Sequence, residues 1–258
     1  MVKIFLDPGH GGNDPGAVFN HLQEKQLTLK LATYVRNLLQ NKNLQVNVKM
    51  SRTNDKTVSL SERTRLANEW GADLFLSFHI NAGGGTGYED FIHTSLNETS
   101  KTARLRRRIH REVVKHNKLH NRGKKRANFY VLRETNMPAI LTENGFIDTA
   151  HDRKFLESDR WMKETAKGFV QGIINAFQLQ KQTAHYRVVA GSFRSRLNAQ
   201  RQVQKLNKLG YNSFIEKSFV NNQKYYRVIV GAFTQLTNAN KRKRSLKQKG
   251  FATFIMKN

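Results

Sequence analysis

The stretch Ile4-Phe5-Leu6-Asp7-Pro8-Gly9-His10-Gly11-Gly12 decides the fold of this 258-residue chain. Its apolar half predicts a short buried strand that runs directly into a turn rich in Pro and Gly. In open α/β sheets, ligands bind at the carboxyl edge of the strands, which is where such a turn lies. Within the turn, His10 could ligate a metal ion or carry a proton, and the neighbouring glycines permit close backbone approach. Taken alone, the turn fits an exposed histidine in a Gly-rich bend equally well.

Two more predicted strands end in functional side chains. Leu74–Ile80 is a buried apolar run with His79 near its C-terminal end, followed by a Gly-rich loop. Ala139–Glu143 is a second apolar run, and it places Glu143 at an Asn-Gly turn. Because several strands deliver such groups to one edge, we expect an open α/β sheet flanked by helices, with a site at its carboxyl edge.

Glu24 lies in the first turn of a helix predicted from about Gln23 to Leu39 by the spacing of its apolar residues. A carboxylate there can favour the helix dipole, or it can ligate a metal ion next to His10. The remaining predicted elements of this region are strands at Val46–Met50, Tyr88–Thr94 and Phe129–Leu132, a helix capped by Ser59 and ending at Trp70, and helices at 151–160 and 161–177.

His10, Glu24 and His79 together would supply two imidazoles and one carboxylate. This donor set binds Zn²⁺ with one position open for water, as in catalytic zinc sites. Glu143 would then be the general base that takes the proton of the water and passes it to the leaving group. The implied reaction is hydrolysis of an amide or a related carbonyl bond.

The charge of the chain is strongly positive and unevenly distributed. It holds 45 Lys and Arg against 19 Asp and Glu, and residues 181–258 contribute 17 basic side chains against a single acidic one, Glu216. Such a tail favours a polyanion as partner: nucleic acid, anionic lipid or an anionic cell-wall polymer. The segment 101–126 is also basic and predicts an amphipathic helix, with either a solvated face or an anion-binding groove.

Other composition features limit the class of protein. The sequence has no Cys, which excludes disulfides and thiolate metal sites. No apolar run approaches the ~18 residues of a membrane span, and no basic-then-apolar leader is visible.

The tail contains an internal repeat of two copies forty residues apart. Tyr186–Phe193 aligns with Tyr226–Phe233, and the match continues without gaps to Phe214-Ile215 and Phe254-Ile255. Each copy is typical of strand, helix and strand, so the pair predicts a small α+β domain with the ferredoxin-like order βαββαβ. Four aromatic residues could stack on sugar rings, or else lie in the core of this domain: Tyr186, Phe193, Tyr226 and Phe233.

Four motifs resemble the zinc-dependent N-acetylmuramoyl-L-alanine amidases over about residues 1–178. They are Leu6–Gly12, Glu24 before a Leu-rich helix, Ser77–Ala82 and Glu143–Ile147. The resemblance implies zinc ligands at His10, Glu24 and His79, Glu143 as catalytic carboxylate, and cleavage between the lactyl group of N-acetylmuramic acid and L-alanine. One departure is Asp148, where the family often has Asn; the position lies outside the proposed metal site.

Residues 184–258 resemble the sporulation-related repeat domain, which binds peptidoglycan glycan in related proteins. Gln178–Thr183 is predicted to be a linker between the two domains. The combination resembles wall-lytic amidases that act when the mother cell of a spore former lyses. It implies an extracellular, wall-associated autolysin that binds peptidoglycan and possesses no membrane span.

Two alternatives remain at this point. A zinc peptidase could use the same ligands to cut within the stem peptide or cross-bridge. A nucleic-acid-binding protein would fit the charge and the βαββαβ tail, but the tail does not contain the Lys/Arg-Gly-aromatic run of an RNA-recognition domain.

Overall fold

A computed structural model describes residues 1–42, 44–180, 186–221 and 223–257. The chain divides into two compact units, Met1–Lys181 and Gln182–Asn258. The predicted boundaries at 178 and 184 remain predictions, and residues 181–183 of the predicted linker lie outside the described residues. None of the described helices combines the length and the hydropathy of a membrane span.

The first unit is an open mixed sheet with helices on both faces, as the sequence predicts. Its elements are β1 (Val2–Pro8), β2 (Val18–Phe19), β3 (Leu22–Gln23), α1 (Glu24–Asn41), β4 (Val46–Met50), α2 (Leu60–Trp70), β5 (Leu74–Asn81), β6 (Tyr88–His93), α3 (Lys101–Asn117), β7 (Asn121–Ala127), α4 (Tyr130–Arg133), β8 (Ala139–Phe146), α5 (Ala150–Leu156) and α6 (Asp159–Phe177).

The strand order is β4-β1-β5-β8-β6-β7. The four strands from β4 to β8 are parallel, and β6 and β7 run the opposite way. The carboxyl ends of β1, β5 and β8 therefore meet at one edge.

Alternation along the strands divides the core between the two faces of the sheet. Ile4 and Leu6 of β1 pack into a large cluster with α1, α3 and α6, whereas Phe5 points to a smaller cluster with α2 and α4. Leu76 and Phe75 of β5 repeat this division. Burial on both faces explains why these strands are apolar almost throughout.

Three predictions for this unit were wrong. The segment 129–132 is not a strand but leads into the one-turn helix α4, since an apolar run this short fits either structure. The basic helix ends at Asn117, because Lys118 adopts a left-handed conformation (φ 56°), and the chain then forms the edge strand β7. Glu143 does not end its strand, because β8 continues through Gly145 to Phe146.

The second unit confirms the ferredoxin-like prediction. Its elements are β9 (Tyr186–Phe193), α7 (Arg196–Lys208), β10 (Phe214–Val220), β11 (Gln223–Phe233), α8 (Leu236–Gln248) and β12 (Phe254–Lys257). The antiparallel sheet has the order β10-β11-β9-β12, so each central strand pairs only with strands of the other repeat copy.

The core of the second unit repeats the same positions in both copies. Leu206 and Leu246 are fully buried, one on each helix. The aromatic residues proposed for sugar stacking pack against this core, which is the structural alternative stated above. They are Tyr186, Phe193, Tyr226 and Phe233.

Candidate active site

Three of the predicted site residues meet at the carboxyl edge of the first sheet. Donor atoms of His10, Glu24 and His79 all lie within 4.8 Å of one another. His10 follows β1, Glu24 is the first residue of α1, and His79 lies in β5. The two imidazole rings are 5.0 Å apart, edge to face.

Glu24 turns toward the sheet edge and bridges the two histidines. Its Oε2 is 3.2 Å from His10 Nε2 and its Oε1 is 2.9 Å from His79 Nδ1. The backbone N–H groups of Ala17 and Ile80 each donate to one of its oxygens at 2.9 Å. These four contacts fix the carboxylate in one orientation.

Asp14 orients His10 from the other side of the ring, since its Oδ2 lies 2.8 Å from His10 Nδ1. With Nδ1 engaged, Nε2 is the ring nitrogen that faces Glu24 and the other donors. A carboxylate behind an imidazole sets its tautomer and orientation in many metal sites. Sequence reasoning missed Asp14, although an acidic residue four positions after His10 in a Gly-rich turn was an available signal.

The electrostatics of the trio favour positive charge between the three side chains. Burial alone would lower the pKa of His10, but the carboxylates of Glu24 and Asp14 outweigh it and raise the pKa to about 9. Burial opposes ionisation of Glu24 as well, yet hydrogen bonds to His10 and His79 hold its pKa well below the ordinary value. The carboxylate thus stays ionised and attracts either protons on the imidazoles or a cation.

Two buried arginines hold the loop that carries His10. Arg52 donates to the carbonyl oxygens of Pro8 (3.1 Å) and Gly9 (2.8 Å), and Arg63 donates to those of Pro8 (2.8 Å) and His10 (2.7 Å). Arg63 also pairs with buried Asp7 at 2.7 Å. Neither arginine was predicted, because nothing in local periodicity marks a basic residue as buried.

The loop must pass very close to His79. A Cβ atom at Gly9 would lie 2.4 Å from His79 Cε1, so any larger residue there would displace the His79 ring. His10 itself has a φ of 60°, an uncommon conformation for a non-glycine residue. Backbone strain of this kind concentrates at functional sites.

Glu143 lies beside the trio, paired in register with His79 across β5 and β8. Its Oε2 is buried without a hydrogen-bond partner among the described residues. Burial, assisted by the carboxylates of Glu24 and Glu89, raises the pKa of Glu143 to about 7, although His79 opposes the rise. A carboxyl group without a hydrogen-bond partner and with a pKa near 7 can both accept and return a proton at neutral pH.

A cleft of about 510 Å³ opens onto these residues. His10, His79 and Glu143 line it together with Phe129, Tyr130 and Val131 around the start of α4. The segment 57–60, which leads into α2, lines it as well. The cleft therefore offers a ligand both apolar surface and ionisable groups.

Asp148, the departure from the family pattern, does not contact the trio. Its Oδ2 accepts hydrogen bonds from the backbone N–H groups of Gly83 (2.7 Å) and Gly84 (2.9 Å). It thereby anchors the Gly-rich loop that follows β5.

Comparisons with known proteins agree with the geometry. The family model described as N-acetylmuramoyl-L-alanine amidase matches residues 4–175, and the SPOR domain model matches residues 182–257. The N-acetylmuramoyl-L-alanine amidase CwlM of Bacillus licheniformis is 49% identical over 216 residues, covering 83% of this chain and 85% of that protein.

Two more similarities extend the comparison. The sporulation-specific N-acetylmuramoyl-L-alanine amidase of Bacillus subtilis is 46% identical over 83% of this chain and 84% of its own length. The crystal structure of the N-acetylmuramoyl-L-alanine amidase from Clostridium difficile 630 superposes with a TM-score of 0.65 at 37% identity, over 69% of this chain and 97% of that one. The chain therefore belongs to the N-acetylmuramoyl-L-alanine amidase family and is a cell-wall hydrolase with a C-terminal SPOR domain.

Proposed function

We propose that a zinc ion held by His10, Glu24 and His79 serves the amidase reaction and that Glu143 is its general base. The observation that carries this proposal is the convergence of three donor atoms within 4.8 Å, two of them on histidines that line the cleft. Two imidazole nitrogens and one carboxylate suit Zn²⁺, whereas Ca²⁺ prefers six or more oxygen ligands.

The chemistry divides between the ion and the side chains. A zinc ion, when bound, supplies Lewis acidity toward the amide carbonyl and lowers the pKa of water at the site. Glu143, whose pKa is about 7, would in its ionised form accept a proton from the attacking water as the water oxygen bonds to the lactyl carbonyl carbon. Glu143 would then return this proton to the nitrogen of L-alanine as the C–N bond breaks, which leaves a free carboxyl group on the lactyl part and a free amino group on L-alanine.

The other residues of the site position these groups. Asp14 holds the His10 ring, Arg52 and Arg63 hold the loop carbonyls, and the backbone N–H of Ile80 holds Glu24. The cleft walls would orient the muramyl and peptide parts of the substrate on either side of the scissile bond.

A pair of variants tests the roles of the ligands and the base. Glu143→Gln should retain stoichiometric zinc and lose roughly 10²–10⁴-fold in turnover of soluble muropeptides. His79→Ala should fold but lose zinc. Glu69→Gln, on the exposed face of α2, makes the same chemical change as Glu143→Gln away from the site and is its matched control. Product analysis should show new L-alanine amino termini without new reducing sugar ends. Loss of zinc in Glu143→Gln would make Glu143 a ligand instead, and full activity after chelation would refute the metal site.

We further propose that residues 184–258 bind the enzyme to stem-peptide-poor glycan of an extracellular wall, in an autolysin that acts during mother-cell lysis. Three phenylalanines of the sheet strands are well exposed and replace the earlier stacking candidates: Phe214, Phe219 and Phe254, at 54%, 64% and 41%.

Substitution of Phe214 and Phe254 by Ser should weaken wall binding at all salt concentrations, whereas the contribution of the basic side chains should weaken as salt rises. If binding to walls vanished completely at high salt, the proposal that exposed phenylalanines contact the glycan would be contradicted. Removal of residues 181–258 should impair hydrolysis of intact walls but leave that of soluble muropeptides unchanged. Fractionation of sporulating cultures would test the proposed location.

A further inference from the structure

A second concave surface lies on the first unit, between α3 and the edge strand β7. It has a volume of about 700 Å³ and shares no lining residue with the cleft at the metal-binding trio. Six of its nine lining residues are basic, and none is acidic within the fully described range 44–180. We call it the basic groove; it is lined by Arg104, Arg107, Arg108, His110, Arg111, Val114, Lys115, Asn121 and Lys124.

Neighbouring carboxylates neutralise this charge only in part. Glu98 lies 3.5 Å from Arg107, and Glu112 lies 3.2 Å from Arg111 and 3.3 Å from Lys115. Two carboxylates thus face six cations. The side chains of Arg107, Arg111 and Lys115 are 44–62% exposed, so their charges remain available to a ligand.

The arrangement is unfavourable for the helix itself. Arg104, Arg108, Arg111 and Lys115 follow one another at three- and four-residue spacing, where like charges destabilise a helix by a few tenths of a kcal/mol per pair. The first turn of α3 holds no acidic residue to favour its dipole. Lysine on an edge strand is a common protection against edge-to-edge pairing, which would account for Lys124 but not for the arginines of α3.

We propose that the basic groove binds a linear phosphodiester polymer attached to the cell wall. Cations on successive turns of α3 recur about every 5 Å, and the span from Arg104 to Lys115 is about 16 Å, which suits a chain with regularly spaced negative charges. The planar fork of arginine matches the oxygens of phosphate. This second contact would hold the amidase on walls that carry such polymers, independently of the SPOR domain.

The lining of the groove favours this partner over other polyanions. Single-stranded nucleic acid is bound on aromatic platforms, and the one ring in the groove, His110, is buried and engaged by Asp90 (2.7 Å) and Asn121 (3.0 Å). A membrane surface is flat and favours exposed apolar side chains, whereas this site is concave and contains Val114 as its one aliphatic residue.

The test compares two full-length variants of equal net charge. Arg107→Gln, Arg111→Gln and Lys124→Gln are combined in the groove variant; Lys42→Gln, Lys154→Gln and Arg160→Gln, all exposed and outside the groove, form the control. Binding of soluble poly(glycerol phosphate) is measured by calorimetry between 50 and 200 mM salt. Because the basic tail is the same in both proteins, its contribution cancels in the comparison.

We expect the groove variant to bind about tenfold or more weakly than the control at low salt. The dependence of log K on log salt should become shallower by about two units of slope relative to the control. Each phosphate contact contributes roughly 0.7 to the steepness of this slope, and three contacts are removed. Both variants should hydrolyse soluble muropeptides like wild type, which separates this proposal from the metal site. On walls freed of phosphodiester polymers by acid extraction, the two variants should bind equally.

Equal losses in both variants would overturn the proposal, because they would show a general charge effect. A loss specific to the groove variant with single-stranded RNA or anionic vesicles, but not with poly(glycerol phosphate), would assign the groove to that other partner. Thermal unfolding of both variants is measured alongside. If the groove variant is destabilised, the pair Arg107→Gln and Lys124→Gln is compared with Lys42→Gln and Lys154→Gln by the same criteria.

Discussion

Replacing Arg63 with methionine should destabilise the first unit by about 3–5 kcal/mol, since this change leaves a buried charge without its partner. Arg63 is 3% exposed, and its Nη1 lies 2.7 Å from Oδ1 of Asp7, which is 1% exposed. Methionine retains much of the side-chain volume but none of the donors. Asp7 would keep its hydrogen bonds from Ser51 (2.6 Å) and Ser77 (2.8 Å), which limits the loss.

The loss should depend on pH in a direction set by Asp7. Burial alone would raise the pKa of Asp7, but Arg63 and the two serines lower it below its ordinary value. In the wild type this carboxylate therefore contributes stability above the unfolded pKa near 3.9, and the contribution is lost as pH falls through the folded pKa. Without Arg63, burial dominates and the pKa rises, so protonation relieves the unpaired charge. The deficit relative to wild type should accordingly shrink as pH falls from 7 toward 4.

Urea unfolding followed by tryptophan fluorescence measures this effect in the first unit alone. The chain has two tryptophans, and both Trp70 and Trp161 lie in that unit. The control is Arg65→Met on the same helix, where a half-exposed arginine pairs with exposed Glu62 and Glu69 and should contribute 0–1 kcal/mol. Adding Asp7→Asn to Arg63→Met should recover part of the loss. A deficit equal to that of the control, or one that is independent of pH and of Asp7, would refute the reasoning.

Other substitutions test how the trio is supported and how the tail folds. Asp14→Ala should weaken zinc binding about 10–100-fold in chelator competition, because the His10 ring loses the contact that orients it; unchanged affinity would mean that the loop alone suffices. Gly9→Ala should displace the His79 ring and lower both zinc content and turnover, since the new Cβ would lie 2.4 Å from that ring; a crystal structure of the variant with an unmoved ring would contradict this. Leu206→Ala and Leu246→Ala should each destabilise the second unit by about 2–5 kcal/mol and reduce wall retention alike, with the tryptophan signal of the first unit unaffected; loss in one variant alone would argue that the repeat copies fold separately.

The sequence predicted which side chains converge at this sheet edge better than it predicted what supports them. His10 and His79 were proposed because apolar strands that end in a polar residue before glycines are a local pattern, and the structure brings their donor atoms together. Glu143 was proposed from the same pattern, although β8 runs three residues further, to Phe146. Arg63 carries no such signal. It follows the N-cap of α2, where the side chain of Ser59 accepts a hydrogen bond from the backbone N–H of Glu62, and an arginine in a first turn would ordinarily face solvent.

Two of the three wrong predictions depend on features that a local sequence pattern does not contain. Tyr130-Val131-Leu132 is too short for its period to separate strand from helix, and only packing against the α2 face of the sheet decides it. The end of α3 depends on one residue, Lys118, whose left-handed conformation is rare for a side chain of its type. The first case is decided by tertiary packing and the second by the backbone conformation of a single residue, and neither is visible in the period of the sequence.

The hydrogen bonds made by the backbone of the His10 loop explain why the loop needs buried arginines. The carbonyl oxygens of Pro8, Gly9 and His10 accept hydrogen bonds from side chains, since β1 ends at Pro8 and the chain leaves the sheet there. A guanidinium provides five donors in a rigid fork, so Arg52 and Arg63 can bond several carbonyls that water would otherwise reach. The charge this brings into the interior is balanced locally by Asp7, which is itself fixed by two serines. Because all of these donors come from the protein, they hold the loop in place by themselves, and the three donor atoms proposed to bind zinc already lie within 4.8 Å of one another.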